Sequence, residues 1–245
     1  AFRRTSGVFD HTLECVRRAK ECGLAVQINS LVNVHNTTQL DELIHLIEKL
    51  DIVFWEVFFL VPVGRGKELP LMTADKFEEA FEKIYALSQR VQTVIKITEA
   101  PHYRRFCFEK ELAKQGIRSD RVEWDKVSLP TYLKRDAGPR GSIGHAPQGV
   151  NAGKGFIFVS YRGEVMPSGF LPLGAGNVRE SPLKEIYRNS SLLKELRDAS
   201  LLKGRCGICP YREICGGSRS RAYAMTGDYL ETDPCCSYQP ALLSR

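Results

Sequence analysis

Cys206-Gly-Ile-Cys209-Pro-Tyr-Arg-Glu-Ile-Cys215, followed by Cys235-Cys236, gathers five of the chain's eight cysteines near the carboxyl terminus. Thiolate is a soft ligand, and four of them at such spacing can close around one metal core. Cys206 and Cys209 leave one tight turn, Cys215 follows after five residues, and the distant pair supplies a fourth sulfur. An iron–sulfur cluster is the expected occupant. A structural zinc ion also takes four cysteines, but its usual signature is two CxxC or CxxH knuckles, and the second knuckle is missing here. Disulfides need an oxidising compartment; no signal-peptide pattern is visible, and a chain of 245 residues needs no covalent staples. A cytoplasmic location is therefore expected. Cys15, Cys22 and Cys107 lie among helical residues without partner spacing and read as bystander thiols.

Positioning four sulfurs requires a core. With 43% hydrophobic and 26% charged residues, the chain has the composition of an ordinary globular protein. The longest apolar run, Ile52–Val63, is broken by Glu56 and is far too short to span a bilayer, so no membrane segment is expected. A net charge of +6 suits anionic small molecules or solubility as well as nucleic acid, and without an aromatic–basic RNA motif nucleic-acid binding is not expected.

Residues 1–115 read as helix, strand, helix, strand, helix, strand, helix. The first helix is expected over Asp10–Cys22 and the first strand over Ala25–Val32. Asn36 and Thr37 offer an N-cap for a helix over Gln39–Leu50, where Leu40, Leu43, Ile44 and Ile47 recur at helical spacing. Val53–Val61 is apolar on both faces apart from Glu56, which suits a strand covered by helices on one side and enclosed on the other. Glu56 would be costly there unless paired or used. Thr73 caps a third helix through Phe77, Phe81, Ile84 and Leu87, and Val94–Glu99 forms the third strand. This βαβ order predicts parallel strands with functional groups at their carboxyl ends. Those ends are Gln27-Ile-Asn29-Ser30, Pro62-Val-Gly64-Arg65-Gly66 and Thr98-Glu99-Ala-Pro-His102. Ordinary turn chemistry explains each of them equally well. Three strands cannot close a barrel, so a parallel β/α barrel would be incomplete, and the chain reads as a carboxyl-terminal portion.

Residues 116–154 loosen into a charged connector rich in Gly and Pro, including Gly138-Pro-Arg-Gly141 and Gly144-His145-Ala-Pro147. From residue 155 a hairpin is expected, Phe156–Tyr161 returning through Arg162-Gly163 as Glu164–Ser168, then a short helix near Pro182–Leu196 and the cysteine segment. His102 and His145 are candidate ligands, but lone histidines are more often structural or solvated.

Gly163-Glu-Val-Met-Pro, Gly176-Asn-Val-Arg-Glu-Ser-Pro-Leu183 and Cys206xxCys209xxxxxCys215-Gly-Gly-Ser-Arg219-Ser-Arg221 together resemble the SPASM/twitch extension of radical S-adenosylmethionine enzymes. Gln27-Ile-Asn29, Leu60-Val-Pro-Val-Gly64-Arg65-Gly66 and Glu99-Ala-Pro-His-Tyr-Arg-Arg105 resemble later strands of that family's core. The nearest branch is the one with haem-synthesis and peptide-modifying members. The resemblance implies an α/β fold: a partial barrel over 1–115, a connector over 116–154 and a small hairpin-and-helix iron–sulfur domain over 155–245. It also implies Asn29 and Ser30 near the methionine part of S-adenosylmethionine, with Gly64, Arg65 and Gly66 near its ribose or carboxylate. The implied partners are a tetrapyrrole or peptide substrate and an electron donor such as flavodoxin or ferredoxin.

Departures from the family narrow this expectation. Ser168 and Arg219 stand where a full extension carries cysteines for a further cluster, so one auxiliary 4Fe-4S cluster is implied, held by Cys206, Cys209 and Cys215. The family's closing cysteine follows Asp-Pro-x, which favours Cys236 over Cys235 as the fourth ligand. Arg212, Arg219 and Arg221 near the cluster would raise its potential, or are surface arginines. The CxxxCxxC loop that holds the cluster cleaving S-adenosylmethionine is absent from the 245 residues, so the isolated chain is not expected to generate a radical. The alternative is a nonenzymatic α/β binding module with a structural zinc site made of four cysteines.

Overall fold

The computed structural model describes residues 5–117 and 150–240. The expected connector and His145 fall largely outside them.

Three parallel strands, β1 (Gln27–Val32), β2 (Phe54–Phe59) and β3 (Val94–Thr98), pair in sequence order. The register sets Asn29 beside Glu56 and Glu56 beside Lys96. Helices α1 (Val8–Glu21), α2 (Leu40–Leu50), α3 (Ala74–Ser88) and α4 (His102–Lys114) alternate with the strands, α2 and α3 forming the crossovers. Helix α2 buries Leu40, Ile44 and Ile47, one face at helical spacing. Helix α3 buries Phe77, Phe81 and Ile84. Its first turn is capped by the Thr73 hydroxyl, which accepts from the Lys76 amide at 3.4 Å. Alternation in β2 turns Trp55, Val57 and Phe59 into the core beneath these helices, and all three are at most 2% exposed. The opposite face carries Asn29, Glu56, Lys96 and Thr98.

Glu56 is paired rather than stranded. Lys96 Nζ lies 3.0 Å from its Oε1, the Thr98 hydroxyl donates to Oε1 at 2.6 Å, and Gln27 Nε2 donates to Oε2 at 3.1 Å. The strands are shorter than the apolar pattern suggests, because their ends leave the ladder and turn. Asn36 heads a 3-10 turn, Thr37–Gln39, ahead of α2 without capping it. Its side chain ties back to β1, with Nδ2 donating to the Leu31 carbonyl at 2.7 Å.

After residue 150 come β4 (Asn151–Ala152), β5 (Gly155–Phe156), β6 (Phe158–Val159), β7 (Glu164–Met166) and β8 (Gly176–Asn177). Strands β6 and β7 pair antiparallel, as expected of a hairpin, and β8 adds a third strand to their sheet. The helix expected over Pro182–Leu196 is two, α5 (Leu183–Asn189) and α6 (Ser191–Arg197), because Ser190 leaves the helical conformation at φ −55°, ψ 126°. Two short helices follow, α7 (Gly204–Gly207) and α8 (Arg219–Thr226).

Phe81 is fully buried against Phe59, Phe77, His102 and Tyr103. Phe81→Ala is expected to destabilise the chain by about 3–5 kcal/mol, from lost transfer energy plus a cavity. Tyr161→Ala, at a side chain 84% exposed, is expected to stay within about 0.5 kcal/mol of wild type. Denaturant unfolding compares the two.

Candidate metal centre

The cysteine loop is folded by its own backbone and then fastened at both ends. The Cys209 amide donates to the Cys206 carbonyl at 3.3 Å, and the Cys215 amide to the Tyr211 carbonyl at 2.8 Å, forming two successive turns. Between them Tyr211 is fully buried against Phe108 of α4 and Tyr238. Arg104, also on α4, donates to the Ile214 carbonyl at 2.9 Å. Asn151 Nδ2 donates to the Gly217 carbonyl at 2.7 Å. On the far side, the Lys203 amide donates to the Leu230 carbonyl at 2.8 Å, and the Arg205 amide to the Thr232 hydroxyl at 2.9 Å. These ties bring the segment holding Cys206 against the one holding Cys236.

The result is one pocket whose lining includes Cys206, Cys209, Cys215 and Cys236. Cys235 does not line it. That thiol is 3% exposed within the core of the parallel sheet, where its sulfur lies 3.7 Å from the Met72 carbonyl. Burial pushes the Cys209 thiol up to about 12 and the Cys236 thiol up to about 11, and raises Cys215 as well. Thiolates at these positions need a cation to compensate them. Among the described residues no three His, Cys, Asp or Glu side chains converge on a single-ion site. Zinc would draw its sulfurs to about 2.3 Å from one centre.

Behind the pocket stands a buried ion pair. Arg221 and Asp233 are fully buried, joined by Nε to Oδ1 at 2.9 Å and Nη2 to Oδ2 at 2.8 Å. Asp233 also accepts from the amides of Ser218 at 2.8 Å and Cys235 at 3.1 Å. Burial alone would raise the Asp233 carboxyl, but Arg221 and His102 hold it well below the usual carboxylate range. His102 is fully buried, packed on Phe77 and Phe81 with Nδ1 3.7 Å from Asp233 Oδ2. Burial lowers its imidazole to about 3. It lines the core and not the pocket.

Glu99, at the carboxyl end of β3, is a non-glycine residue at φ 61°. Its carboxyl accepts from the hydroxyls of Ser218 at 2.6 Å, Ser220 at 3.0 Å and Ser168 at 3.4 Å. Burial raises its affinity for a proton. Sequence reasoning placed Glu99 at a rim and Ser168 in a lost ligand position; their contact, 69 residues apart in sequence, is a product of the fold.

The other rim residues separate. Asn29 is exposed on the sheet face that carries Glu56, and its Oδ1 accepts from Gln27 Nε2 at 2.7 Å. Ser30 points to the opposite, helix-covered side, where its hydroxyl accepts from Trp55 Nε1 at 3.0 Å. The structure therefore does not bring Ser30 and Asn29 together. Gly64, Arg65 and Gly66 form a 3-10 turn within Gly64–Glu68, beyond β2, with Gly64 at φ 52°.

No family model matches the chain. Over 239 residues it is 38% identical to the AdoMet-dependent heme synthase of Methanosarcina barkeri, a match covering 98% of this chain and 63% of that protein. It is 26% identical over 236 residues to the PqqA peptide cyclase of Bradyrhizobium diazoefficiens, covering 93% and 53%. The chain thus spans about three fifths or less of the length of these relatives. The crystal structure of Streptococcus suis SuiB superposes with a TM-score of 0.59 at 14% identity, over 94% of this chain and 50% of that one. That likeness establishes a shared α/β fold. The sequence matches make the chain a homologue of proteins named for AdoMet-dependent haem synthesis and for peptide cyclisation. Among the described residues no helix is long and apolar enough to cross a membrane.

The depressed His102 pKa gives a pH dependence of known sign. Its folded value of about 3 lies below the ordinary value of 6.5, so the unfolded chain binds the extra proton between them and stability falls as pH drops through that window. Between about pH 6 and pH 4 the wild type is expected to lose up to about 1.4 kcal/mol per pH unit more than His102→Gln. Urea unfolding across that range measures the difference, and parallel slopes would refute it.

Proposed function

We propose that the chain is the carboxyl-terminal portion of a cytoplasmic radical S-adenosylmethionine oxidoreductase carrying one auxiliary 4Fe-4S cluster. The observation that carries this reading is the convergence of Cys206, Cys209, Cys215 and Cys236 on one pocket while Cys235 turns into the core. These four cysteines would hold the cluster. A cluster with every iron held by protein thiolate has no open site, and the chemistry it supplies is electron transfer.

In this reading residues 1–115 are the later part of a β/α barrel, 116–154 a connector and 155–245 the auxiliary-cluster domain. Asn29 and the turn Gly64-Arg65-Gly66 would face S-adenosylmethionine, with Ser30 orienting β1 through Trp55. The polar set Gln27, Asn29, Glu56, Lys96 and Thr98 favours a polar or charged cosubstrate on that sheet face. Arg65 is exposed and offers a cation to a carboxylate. Relatives at 38% and 35% identity named for haem synthesis favour a tetrapyrrole side chain as substrate over a peptide. SuiB has been solved with S-adenosylmethionine and with its precursor peptide SuiA, which keeps a peptide as the second candidate. Reduced flavodoxin or ferredoxin is the proposed electron source. With no CxxxCxxC loop in the sequence, the chain alone is expected to be inactive.

Anaerobic reconstitution with iron and sulfide is expected to give a brown protein holding about four of each per chain. Cys209→Ala should lose the colour. One zinc and no chromophore would instead support a structural zinc module and sink the enzyme reading. Cys236→Ala is expected to lose iron while Cys235→Ala retains it, since only the former side chain lines the pocket; iron analysis of the two variants decides the ligand.

A further inference from the structure

Four arginines lie near the cysteines in sequence, and the fold sends them to different tasks. Arg205 and Arg212 both line the pocket, and Arg205 Nη1 donates to the Tyr238 carbonyl at 3.3 Å. Arg212 is exposed and donates to the Gly207 carbonyl at 2.8 Å. Arg221 is committed to Asp233. Arg219, 2% exposed at the start of α8, brings Nη2 to 3.7 Å from Cys206 Sγ. The rest of its guanidinium is anchored: Nη1 donates to the carbonyls of Tyr229 and Glu231, both at 2.7 Å, and Nε to that of Gly217 at 3.4 Å. Three backbone carbonyls therefore hold a permanent cation in place, with one remaining fork aimed at sulfur.

Gly217 makes this approach possible. At φ 63°, a Cβ on it would lie 2.6 Å from Arg219 Nη2, 2.8 Å from Asp233 Cβ and 3.3 Å from Cys206 Sγ. Its own amide donates to Cys215 Sγ at 3.3 Å. Two of the four pocket sulfurs thus receive an N–H donor from this short segment, one of them charged.

We propose that Arg219, seated by Gly217, is a positioning and tuning residue that raises the reduction potential of the auxiliary cluster through the Cys206 sulfur. The inference rests on the cluster reading above. A thiolate-held cluster gains negative charge on reduction, and a nearby cation donating a hydrogen bond to a ligand sulfur stabilises the reduced state more than the oxidised one. Guanidinium does not lose its proton in proteins, so the effect persists across the working pH range, and its planar fork keeps both the carbonyl and the sulfur contacts, which a lysine cannot.

The test is a redox titration, followed by electron paramagnetic resonance, of the reconstituted chain and of Arg219→Gln, Arg219→Lys and Gly217→Ala. At a fixed poise the reduced-to-oxidised ratio of Arg219→Gln is expected to fall about tenfold, a downward midpoint shift of ~59 mV for a one-electron couple. Iron and sulfide content should remain at the wild-type level. Gly217→Ala should shift in the same direction because it displaces the guanidinium, and Arg219→Lys should shift less. A loaded Arg219→Gln with an unmoved midpoint overturns the inference and leaves the cluster reading intact. If Arg219→Gln holds no iron, the other two variants decide, and unmoved midpoints or lost iron in both assign Arg219 a purely structural role. A wild type that takes no iron sinks the cluster reading and this inference with it.

Discussion

Arg221 and Asp233 are both enclosed by protein, and neither charge is tolerable there without the other. Desolvating each ion costs several kcal/mol, which their attraction offsets only when the remaining donors and acceptors are satisfied. Here they are, and the partners that satisfy them define the architecture. Arg221 donates to the carbonyls of Glu99 at 2.8 Å and Leu60 at 3.4 Å, just beyond β3 and β2. Asp233 accepts from the amides of Ser218 and Cys235, in the two segments that carry the pocket cysteines. The pair therefore fixes the cysteine loops to the carboxyl ends of the parallel strands, and the site inherits its geometry from the sheet.

Ser218 shows how tightly that junction is specified. Its amide donates to Asp233, its hydroxyl accepts from the Arg221 amide at 3.1 Å as the cap of α8, and the same hydroxyl donates to Glu99 at 2.6 Å. One residue thereby serves a helix start, an ion pair and a strand end. Glu99 reaches this hydroxyl from a left-handed backbone conformation, a strain of order 1–3 kcal/mol that persists only where surrounding contacts over-determine it. Those contacts are the serines of the cysteine-bearing half.

Much of this was legible in the chain. The spacing of Cys206, Cys209 and Cys215 gathers their side chains on one pocket because turns are local, and the helical and alternating apolar patterns locate α2, α3, β1, β2 and β3 within a few residues. What stayed hidden is whatever depends on distant pairing. Arg219 and Arg221 read either as cations beside the metal or as surface arginines, since nothing local shows that carbonyls and a carboxylate 10 to 12 residues downstream will enclose them. Ser30 looks like a rim residue until pairing in register brings Trp55 to its hydroxyl, 25 residues away. The break at Ser190 is invisible because Leu183, Ile186, Leu193 and Leu196 keep helical spacing across it.

The adjacent cysteines at 235 and 236 carry the physical logic furthest. The Cys235 amide donates to the Asp233 carboxylate and the Cys236 amide to the Asp233 carbonyl, so a single anchored turn orients both. Their side chains then diverge, one toward Met72 in the sheet's core and the other into the thiol-lined pocket. Exchanging their roles would rotate the turn and pull Asp233 off Arg221, leaving a charge buried without its partner. Which of the two thiols faces the pocket is thus set by the ion pair, through backbone amides.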